Sequence, residues 1–495
     1  MADESVAVSQ QDAADTAQLA RLGYKQQLTR ALGLWSNFAV GFTYLSPLVG
    51  VYSLFNYGLG TGGAAFFWSI LLVLAGQALV MLTFGEVASQ YPIAGGVYQW
   101  AKRLVGPKYA WLSGWMYTWA LLVTITAVAF PVAGFAGPLF GYEATPRNTI
   151  LTAVAVILFA ALVNLAGVRR LAVVAYVGVA AEVIGTLGFG FYLLFFHANR
   201  GVGSVLHTDG AGAGNYLGAF LAAALFAVWI FYGFEACGDI AEEVKNPSRK
   251  IPRAMGLTLA VGGFATIILT LGLIVAVPDM GKVISGEDKD PLGSVLAASL
   301  GETASKVALT LIVIGFVSCT LAIQAAATRL VYSFGRDGMI AGGRALSKVH
   351  AKFHMPPVAI AVTAIIPAAL TLLPSATVTR VITFAVVGIY IGFQSVVLAA
   401  VIGRTRGWKP AGAFTLGRWG WIVNVVGLAY GVAAIVTLSI KTPPNGDSFF
   451  DRWLVPISVG IVAVVGVLYL VAFRPKEQIQ PEARAVDTPA EVMAA

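Results

Sequence analysis

Charged residues are scarce in this sequence. Asp, Glu, Lys and Arg make up 11% of the 495 residues, against roughly 25% in an ordinary soluble domain, and 58% of the residues are hydrophobic. A chain with so little charge cannot cover the surface of a soluble globule with polar groups. We therefore predict an all-α, polytopic membrane protein.

Cysteine and histidine are also rare, with two and four residues respectively. Cys237 and Cys319 lie inside apolar segments, which suggests small core residues, and the histidines lie in predicted loops without the spacing of a metal site. The apolar segments offer no nucleophile beside a general base. We expect no metal, no cofactor and no enzymatic activity.

Residues 1–20 are polar and acidic and contain no basic start followed by an apolar core, so they do not resemble a signal peptide. We predict that residues 1–24 and 474–495 are polar, disordered tails. The net charge is +8, and a twelve-span count places most of the Lys and Arg residues on one side of the membrane. This asymmetry predicts a cell-membrane protein with both termini in the cytosol, and it argues against a nucleic-acid partner.

Apolar segments of sufficient length predict about twelve membrane spans, which we number in chain order. Their predicted bounds are 34–57, 64–84, 109–137, 148–166, 171–196, 216–240, 254–277, 307–332, 358–373, 381–401, 419–440 and 454–473.

Two of these spans carry helix breakers at bilayer depth. Span one contains Pro47 and Gly50, and span six contains Gly233, with Glu235 just beyond it. We expect each span to consist of two half-helices, with a kinked but continuous span one as the alternative. The breaks lie about 185 residues apart and each falls in the first span of a five-span set. This pattern predicts inverted repeats at residues 33–200 and 214–402, and two peripheral spans within 418–473.

Unwound membrane helices expose amides that attract anions and carbonyls that attract cations. We predict that the span-one amides bind a carboxylate, and that carbonyls at both breaks, together with Glu235, bind an ammonium group. The predicted substrate-binding residues are Tyr44, Ser46, Pro47, Leu48, Val49, Gly50, Phe231, Tyr232, Gly233, Phe234 and Glu235.

Glu182 lies at bilayer depth in span five, where an acid is either a hydrogen-bonded helix contact or a proton-titrating site. Span eight carries Ser318, Thr320 and Gln324, which suit Na⁺ ligation less well than interhelical hydrogen bonding. We predict coupling to protons through Glu182 and Glu235, and Na⁺ is the less favoured ion.

A set of motifs follows in order along about residues 30–475. It consists of Glu86, Ser89, Tyr91-Pro92, Gly95-Gly96, Tyr98, Trp100, Gly106-Pro107-Lys108, Gly114-Trp115, Gly233-Phe234-Glu235-Ala236, Ala241-Glu242-Glu243-Val244-Lys245-Asn246-Pro247, Arg249, Pro252-Arg253, Arg329 and Ser333-Phe334-Gly335-Arg336-Asp337-Gly338. Taken together, these motifs resemble the amino acid–polyamine–organocation superfamily of permeases, nearest to its amino acid/choline branch, which includes GABA and choline permeases.

This resemblance implies ten core helices in two inverted repeats, two peripheral helices, and a substrate held between residues 46–50 and 231–235. The sequence departs from the family at two points. Many relatives have a glycine-rich break in span one, whereas residues 46–50 of this chain have bulkier side chains. Proton-coupled relatives carry a lysine in span five, where this chain has Glu182.

We expect a symporter that imports a small amine-bearing solute, an amino acid or GABA-like zwitterion, by proton-driven alternating access. A permease for choline, another quaternary ammonium or a polyamine such as putrescine is the alternative, because Glu235 would then neutralise the cation and no carboxylate site would be needed. A channel is the rival from another class. It would more naturally show rings of like residues from identical subunits.

Overall fold

The computed structural model describes residues 2–441 and 449–475. Within these ranges the chain is helical throughout, and its only β-type pairing is an isolated bridge between Leu32 and Val244. The predicted all-α fold class is confirmed. The predicted tail 474–495 lies outside the described residues from position 476 onwards.

Ten helices in the described ranges are long and apolar enough to cross a membrane. Two shorter apolar helices, Tyr216–Ile230 and Pro357–Leu370, fall in predicted spans six and nine. Every predicted span therefore coincides with an apolar helical segment, and the prediction of a polytopic membrane protein is confirmed.

The spans differ from their predicted bounds mainly at the ends, where helices continue past the apolar segment. In order, spans one to twelve are Leu34–Leu45 with Pro47–Gly62, Trp68–Gln90, Pro107–Ala129 with Val132–Phe140, Pro146–Leu165, Val168–Val183 with Phe189–Phe196, Tyr216–Ala223 with Leu225–Ile230 and Ala236–Asp239, Pro247–Ala276, Glu302–Arg336, Pro357–Leu370, Ser375–Thr405, Gly420–Lys441 and Phe449–Phe473. Shorter helices are Gly96–Leu104, Met280–Ser285, Pro291–Ser299 and Gly343–Leu346.

The packing of the interrupted spans positions the candidate site. The first half of span one, Leu34–Leu45, packs against spans five, seven and eight, and the second half, Pro47–Gly62, packs against span six. Gly50 brings the two interrupted spans into contact, because a Cβ there would lie 2.3 Å from Ile230 Cγ1. Span three packs along span ten, and span two packs along span seven. These helices lie around the two interrupted spans.

The predicted disorder of residues 1–24 is wrong, because residues Ala2–Arg21 form a helix. Asp15 on this helix accepts a hydrogen bond from the Asn246 backbone N–H (2.8 Å) and lies 3.9 Å from the Arg30 guanidinium. Leu19 and Tyr24 are buried. The helix has no strongly apolar stripe, and its docking partners lie up to about 230 residues away, so local composition gave no sign of order.

Candidate substrate site

The break in span one is one residue long. Ser46 separates the two half-helices and adopts left-handed backbone angles (φ 42°, ψ 82°), which are uncommon for a residue other than glycine. Its side chain caps the second half-helix, since Oγ accepts a hydrogen bond from the Val49 N–H at 3.1 Å. Residues 44–50 are all buried. The sequence-based prediction of two half-helices is confirmed here.

Glu182 of span five occupies the amide end of this break. The Leu48 N–H donates to Glu182 Oε2 at 3.0 Å, and the Ser46 hydroxyl donates to Glu182 Oε1. A helix N-terminus attracts carboxylates in this way. The Gly50 N–H bonds within its own helix, to the Ser46 carbonyl. The position predicted for a substrate carboxylate thus holds a carboxylate of the protein, and Glu182 makes the hydrogen-bonded helix contact that the sequence left open.

The break in span six is longer. The helix ends at Ile230 and resumes only at Ala236, so residues 231–235 are not helical. Gly233 has φ 113°, which favours glycine, and an added Cβ would lie 2.5 Å from the backbone nitrogen of Leu45. Gly233 therefore allows the backbone of this break to touch the backbone of span one.

Glu235 folds back onto the break that carries it. Its Oε2 accepts from the Gly233 N–H at 2.7 Å, and its Oε1 accepts from the Tyr117 hydroxyl of span three at 2.9 Å. The side chain is fully buried. Among the described residues Glu235 forms no salt bridge, so hydrogen bonds alone hold this carboxyl group inside the bundle.

Asp239, one helical turn beyond Glu235, was not among the predicted site residues. Its Oδ2 lies 3.4 Å from the same Tyr117 hydroxyl, while its Oδ1 is buried with no hydrogen-bond partner among the described residues. Residues four apart on a helix lie on one face, so the spacing of Glu235 and Asp239 was a usable signal that the sequence analysis missed.

A small cavity lies between the two breaks. Its volume is about 10 Å³, which has room for roughly one water molecule. The rings of Tyr44 and Tyr232 meet edge to face at 6.1 Å across the breaks, and Trp229 packs edge to face on Tyr232 at 5.8 Å. An amino acid does not fit until the surrounding helices separate. The lining residues are Tyr44, Leu45, Val49, Gly50, Thr124, Val128, Trp229, Tyr232, Cys319 and Ile323.

The predicted residues divide into lining and packing groups. Tyr44, Val49, Gly50 and Tyr232 line the cavity. The Leu48 side chain packs against the glycines of spans five and eight, Phe234 packs in a cluster of aromatic rings, and Phe231 is fully buried. Pro47 starts the second half-helix of span one. The remaining three, Ser46, Gly233 and Glu235, form the backbone and polar structure of the breaks described above.

Beyond Asp239, a polar cluster closes one end of the bundle. Tyr24 and Lys102 both contact Asp337, at 3.0 Å and 2.5 Å, and the Arg336 guanidinium lies 3.9 Å from the centre of the Tyr24 ring. Burial, reinforced by the Asp337 carboxylate, raises the pKa of Tyr24, so its hydroxyl keeps its proton and donates. We call Tyr24, Gln99, Lys102, Arg336 and Asp337 the Asp337 network.

Two interrupted spans that touch deep inside a bundle of apolar helices define a multi-pass membrane transporter. The motifs of spans two, six and eight narrow this class. A family model described as amino acid permease matches residues 32–468, and the chain belongs to this family. The predictions of a permease of this superfamily and of a transporter rather than an enzyme are confirmed.

Named relatives align over most of their length. The chain is 26% identical to the amino-acid permease BAT1 of Arabidopsis thaliana, over 92% of this chain and 94% of the relative. It is 26% identical to a rice BAT1 homolog, over 90% and 91%. It is 23% identical to the GABA-specific permease of Saccharomyces cerevisiae, over 92% and 84%. The similarity is thus distributed over the whole membrane region.

Proposed function

We propose that the protein is a proton-coupled importer of a small amine-bearing amino acid, with a GABA-like zwitterion as the first choice. It works by alternating access in the cell membrane, with both termini in the cytosol. The observation that carries the proposal is a surplus of buried acid at the two breaks. Glu182, Glu235 and Asp239 are fully buried, and none forms a salt bridge with a described residue.

The ammonium group of the substrate supplies a positive charge that compensates the buried acids. Glu235 borders the longer break, where carbonyls that have lost helical partners also attract cations. Tyr44, Tyr232 and Trp229 present aromatic faces beside it, and each such face contributes about 0.5 to 2 kcal/mol toward binding an alkylammonium group. The substrate amine therefore binds on the span-six side of the cavity.

The substrate carboxylate has to share the span-one amides with Glu182. Two carboxylates repel each other in a poorly solvated site, so the ionised Glu182 opposes entry of a zwitterion. A proton on Glu182 removes that repulsion and weakens its hold on the Leu48 N–H. Protonation from outside then favours zwitterion binding, so Glu182 makes substrate binding depend on pH.

The occupied span-one amides also favour a second candidate. If Glu182 stays on Leu48 throughout the cycle, the substrate needs no carboxylate, and choline, another quaternary ammonium or a polyamine suits the acidic site. Uptake of labelled GABA into proteoliposomes, with choline and putrescine as competitors, separates the two. Competition by amino acids supports the first candidate, and competition by choline or putrescine alone supports the second.

We favour proton coupling over Na⁺ coupling because Glu182, Glu235 and Asp239 are buried acids without a salt bridge among the described residues, whereas the hydroxyls of span eight bond to their own helix. Ser318 donates to the Gly315 carbonyl at 3.0 Å and Thr320 donates to the Phe316 carbonyl at 2.8 Å. We expect uptake to follow an inward pH gradient in Na⁺-free buffer. Accumulation only with a Na⁺ gradient would contradict this assignment, and conductance without counterflow of labelled substrate would indicate a channel.

A further inference from the structure

We propose that Asp239 and Glu235, joined through the Tyr117 hydroxyl, share one proton and that this pair carries the proton that moves with the substrate. The inference rests on the proton-coupled transport proposed above and assigns it to a residue outside the predicted site. The Tyr117 hydroxyl has two carboxyl neighbours but only one hydrogen to donate.

The Tyr117 hydroxyl has one hydrogen and two carboxyl neighbours. It lies 2.9 Å from Glu235 Oε1 and 3.4 Å from Asp239 Oδ2. One hydroxyl donates one hydrogen bond, and an ionised carboxylate only accepts. If Tyr117 donates to the nearer Glu235, its contact with Asp239 is a hydrogen bond only when Asp239 carries a proton and donates to the phenol oxygen. The geometry is satisfied by one proton for the two acids.

The two acids are supported unequally. Glu235 accepts from Tyr117 and from the Gly233 N–H, which together hold a carboxylate. The Asp239 carboxyl group accepts no hydrogen bond from any other described residue, and its Oδ1 has no partner. A fully buried carboxylate without donors or a cation is costly, and protonation removes that cost. The shared proton therefore resides on Asp239 when the site is closed and empty.

The proton can pass between the acids without an additional group. Asp239 gives its proton to the Tyr117 oxygen while the hydroxyl proton of Tyr117 moves to Glu235 Oε1. This transfer leaves Tyr117 neutral, Asp239 ionised and Glu235 protonated, so charge and protons balance. It links Glu235, at the end of the span-six break, to Asp239, one turn further along the chain.

Among the residues that the structure describes, no positively charged side chain faces the pair from the helices packed around it. Span seven and the helix Gly96–Leu104 present Met255 and Trp100, which do not titrate. The titratable groups facing the pair from spans one, three and six are Tyr44, Tyr117, Tyr232 and Cys237. Proton sharing is therefore the only charge compensation that the closed site offers among the described residues.

Asp239 also contacts the start of the helix that leads to the Asp337 network. Its carbonyl accepts from the Gly95 N–H at 3.1 Å, and a Cβ on Gly96 would lie 2.1 Å from the unpartnered Oδ1. The helix Gly96–Leu104 begins at this point and carries Gln99 to within 3.1 Å of Asp337. Asp239 thus stands between Glu235 and the Asp337 network, and it loses its proton when that end of the bundle opens.

The test uses the full-length protein in proteoliposomes, with uptake of labelled amino acid and proton entry recorded in the same vesicles. Asp239→Asn is the main variant, because the asparagine amide can donate to Tyr117 as a protonated Asp does but cannot release a proton. We expect it to exchange substrate across the membrane while proton entry and gradient-driven accumulation are lost. Tyr117→Phe, which breaks the link, should lose proton entry as well.

The exposed acid Glu287, in the loop before span eight, provides the matched control, and Glu287→Gln should keep wild-type proton entry. An unchanged ratio of protons to substrate in Asp239→Asn would overturn the inference. If that variant does not fold, an unchanged ratio in Tyr117→Phe would overturn it. A wild-type protein that carries substrate without protons would instead refute the proposed coupling itself.

Discussion

The two breaks solve the same backbone problem in different ways. In span one a single residue, Ser46, leaves the helix, and Glu182 from another span binds the exposed amide end. In span six residues 231–235 leave the helix, and Glu235 from the break itself turns back onto the Gly233 N–H. One break is closed by an acid from another span, and the other carries its own acid.

This difference indicates a division of labour. The short break is capped by Ser46 and hydrogen-bonded to Glu182, so its backbone changes only when Glu182 releases the Leu48 N–H. The long break and the short helix after it hold two acids around one hydroxyl, so this region offers both the binding charge and the movable proton. The four predictions below test this contrast, beginning with the largest expected effect.

Gly233→Ala should separate the two breaks. The new methyl group would meet the Leu45 backbone nitrogen at 2.5 Å, and its backbone angle is unfavourable for alanine. We expect a loss of about 2 to 4 kcal/mol of stability, together with loss of uptake. Thermal unfolding and substrate uptake measure both. Gly141→Ala is the control, because Gly141 also has positive φ but open space around it. Equal effects of the two changes would show that contact between the breaks does not matter.

Glu235→Gln should remove the charge that binds the substrate amine. Glutamine also has one acceptor oxygen for the two donors, Tyr117 and Gly233. Loss of a buried charge partner costs about 3 kcal/mol, or about a hundredfold in affinity. Substrate binding to the purified protein, compared with Glu287→Gln, measures the change. Wild-type affinity and rate would exclude Glu235 from the site.

Glu182→Gln should alter the response to pH rather than abolish transport. In the wild type, acidification outside protonates Glu182 and admits the substrate carboxylate, so affinity rises as pH falls. The neutral glutamine should hold affinity nearly constant and remove a dependence of about tenfold, or about 1.4 kcal/mol. Proton entry with substrate should continue. A preserved pH profile would mean that Glu182 is only a structural contact at the span-one break.

Ser46→Ala should have the smallest effect, because it removes a cap but leaves the break in place. The Val49 N–H loses its acceptor and Glu182 loses one donor. We expect a cost of about 1 kcal/mol, seen as a lower unfolding temperature. Thr145→Ala removes a similar cap from span four, at a distance from the site. A larger loss of uptake in Ser46→Ala than in Thr145→Ala, at similar stability, would support a role for the cap in transport.

The sequence was sufficient to predict the helical spans and both breaks, because those features depend on local properties. Length and apolar content set the spans, and Pro47 and Gly233 mark where helices fail. The predicted repeats at residues 33–200 and 214–402, and the pair of peripheral spans within 418–473, stay predictions of repeat boundaries.

The details that were not predictable depend on distant contacts. Glu182 and Leu48 form a hydrogen bond although they lie 134 residues apart in sequence, and no local sequence pattern near either residue predicts this contact. The N-terminal helix docks through Asp15 onto Asn246, which is equally remote in sequence. Asp239 is different, since its spacing from Glu235 was visible. Its importance appears only when Tyr117 of span three is placed between the two acids.

Binding of the substrate between the two breaks is the central requirement of the proposed transport cycle. Cys319 lines that cavity, and its thiol donates to the Tyr44 carbonyl at 3.3 Å. In a Cys237→Ala background it is the one remaining cysteine. The measurement is the rate at which a small ammonium-bearing methanethiosulfonate modifies Cys319 in proteoliposomes. We predict that modification occurs during transport and that saturating substrate slows it, whereas equal rates with and without a transported substrate would contradict the account.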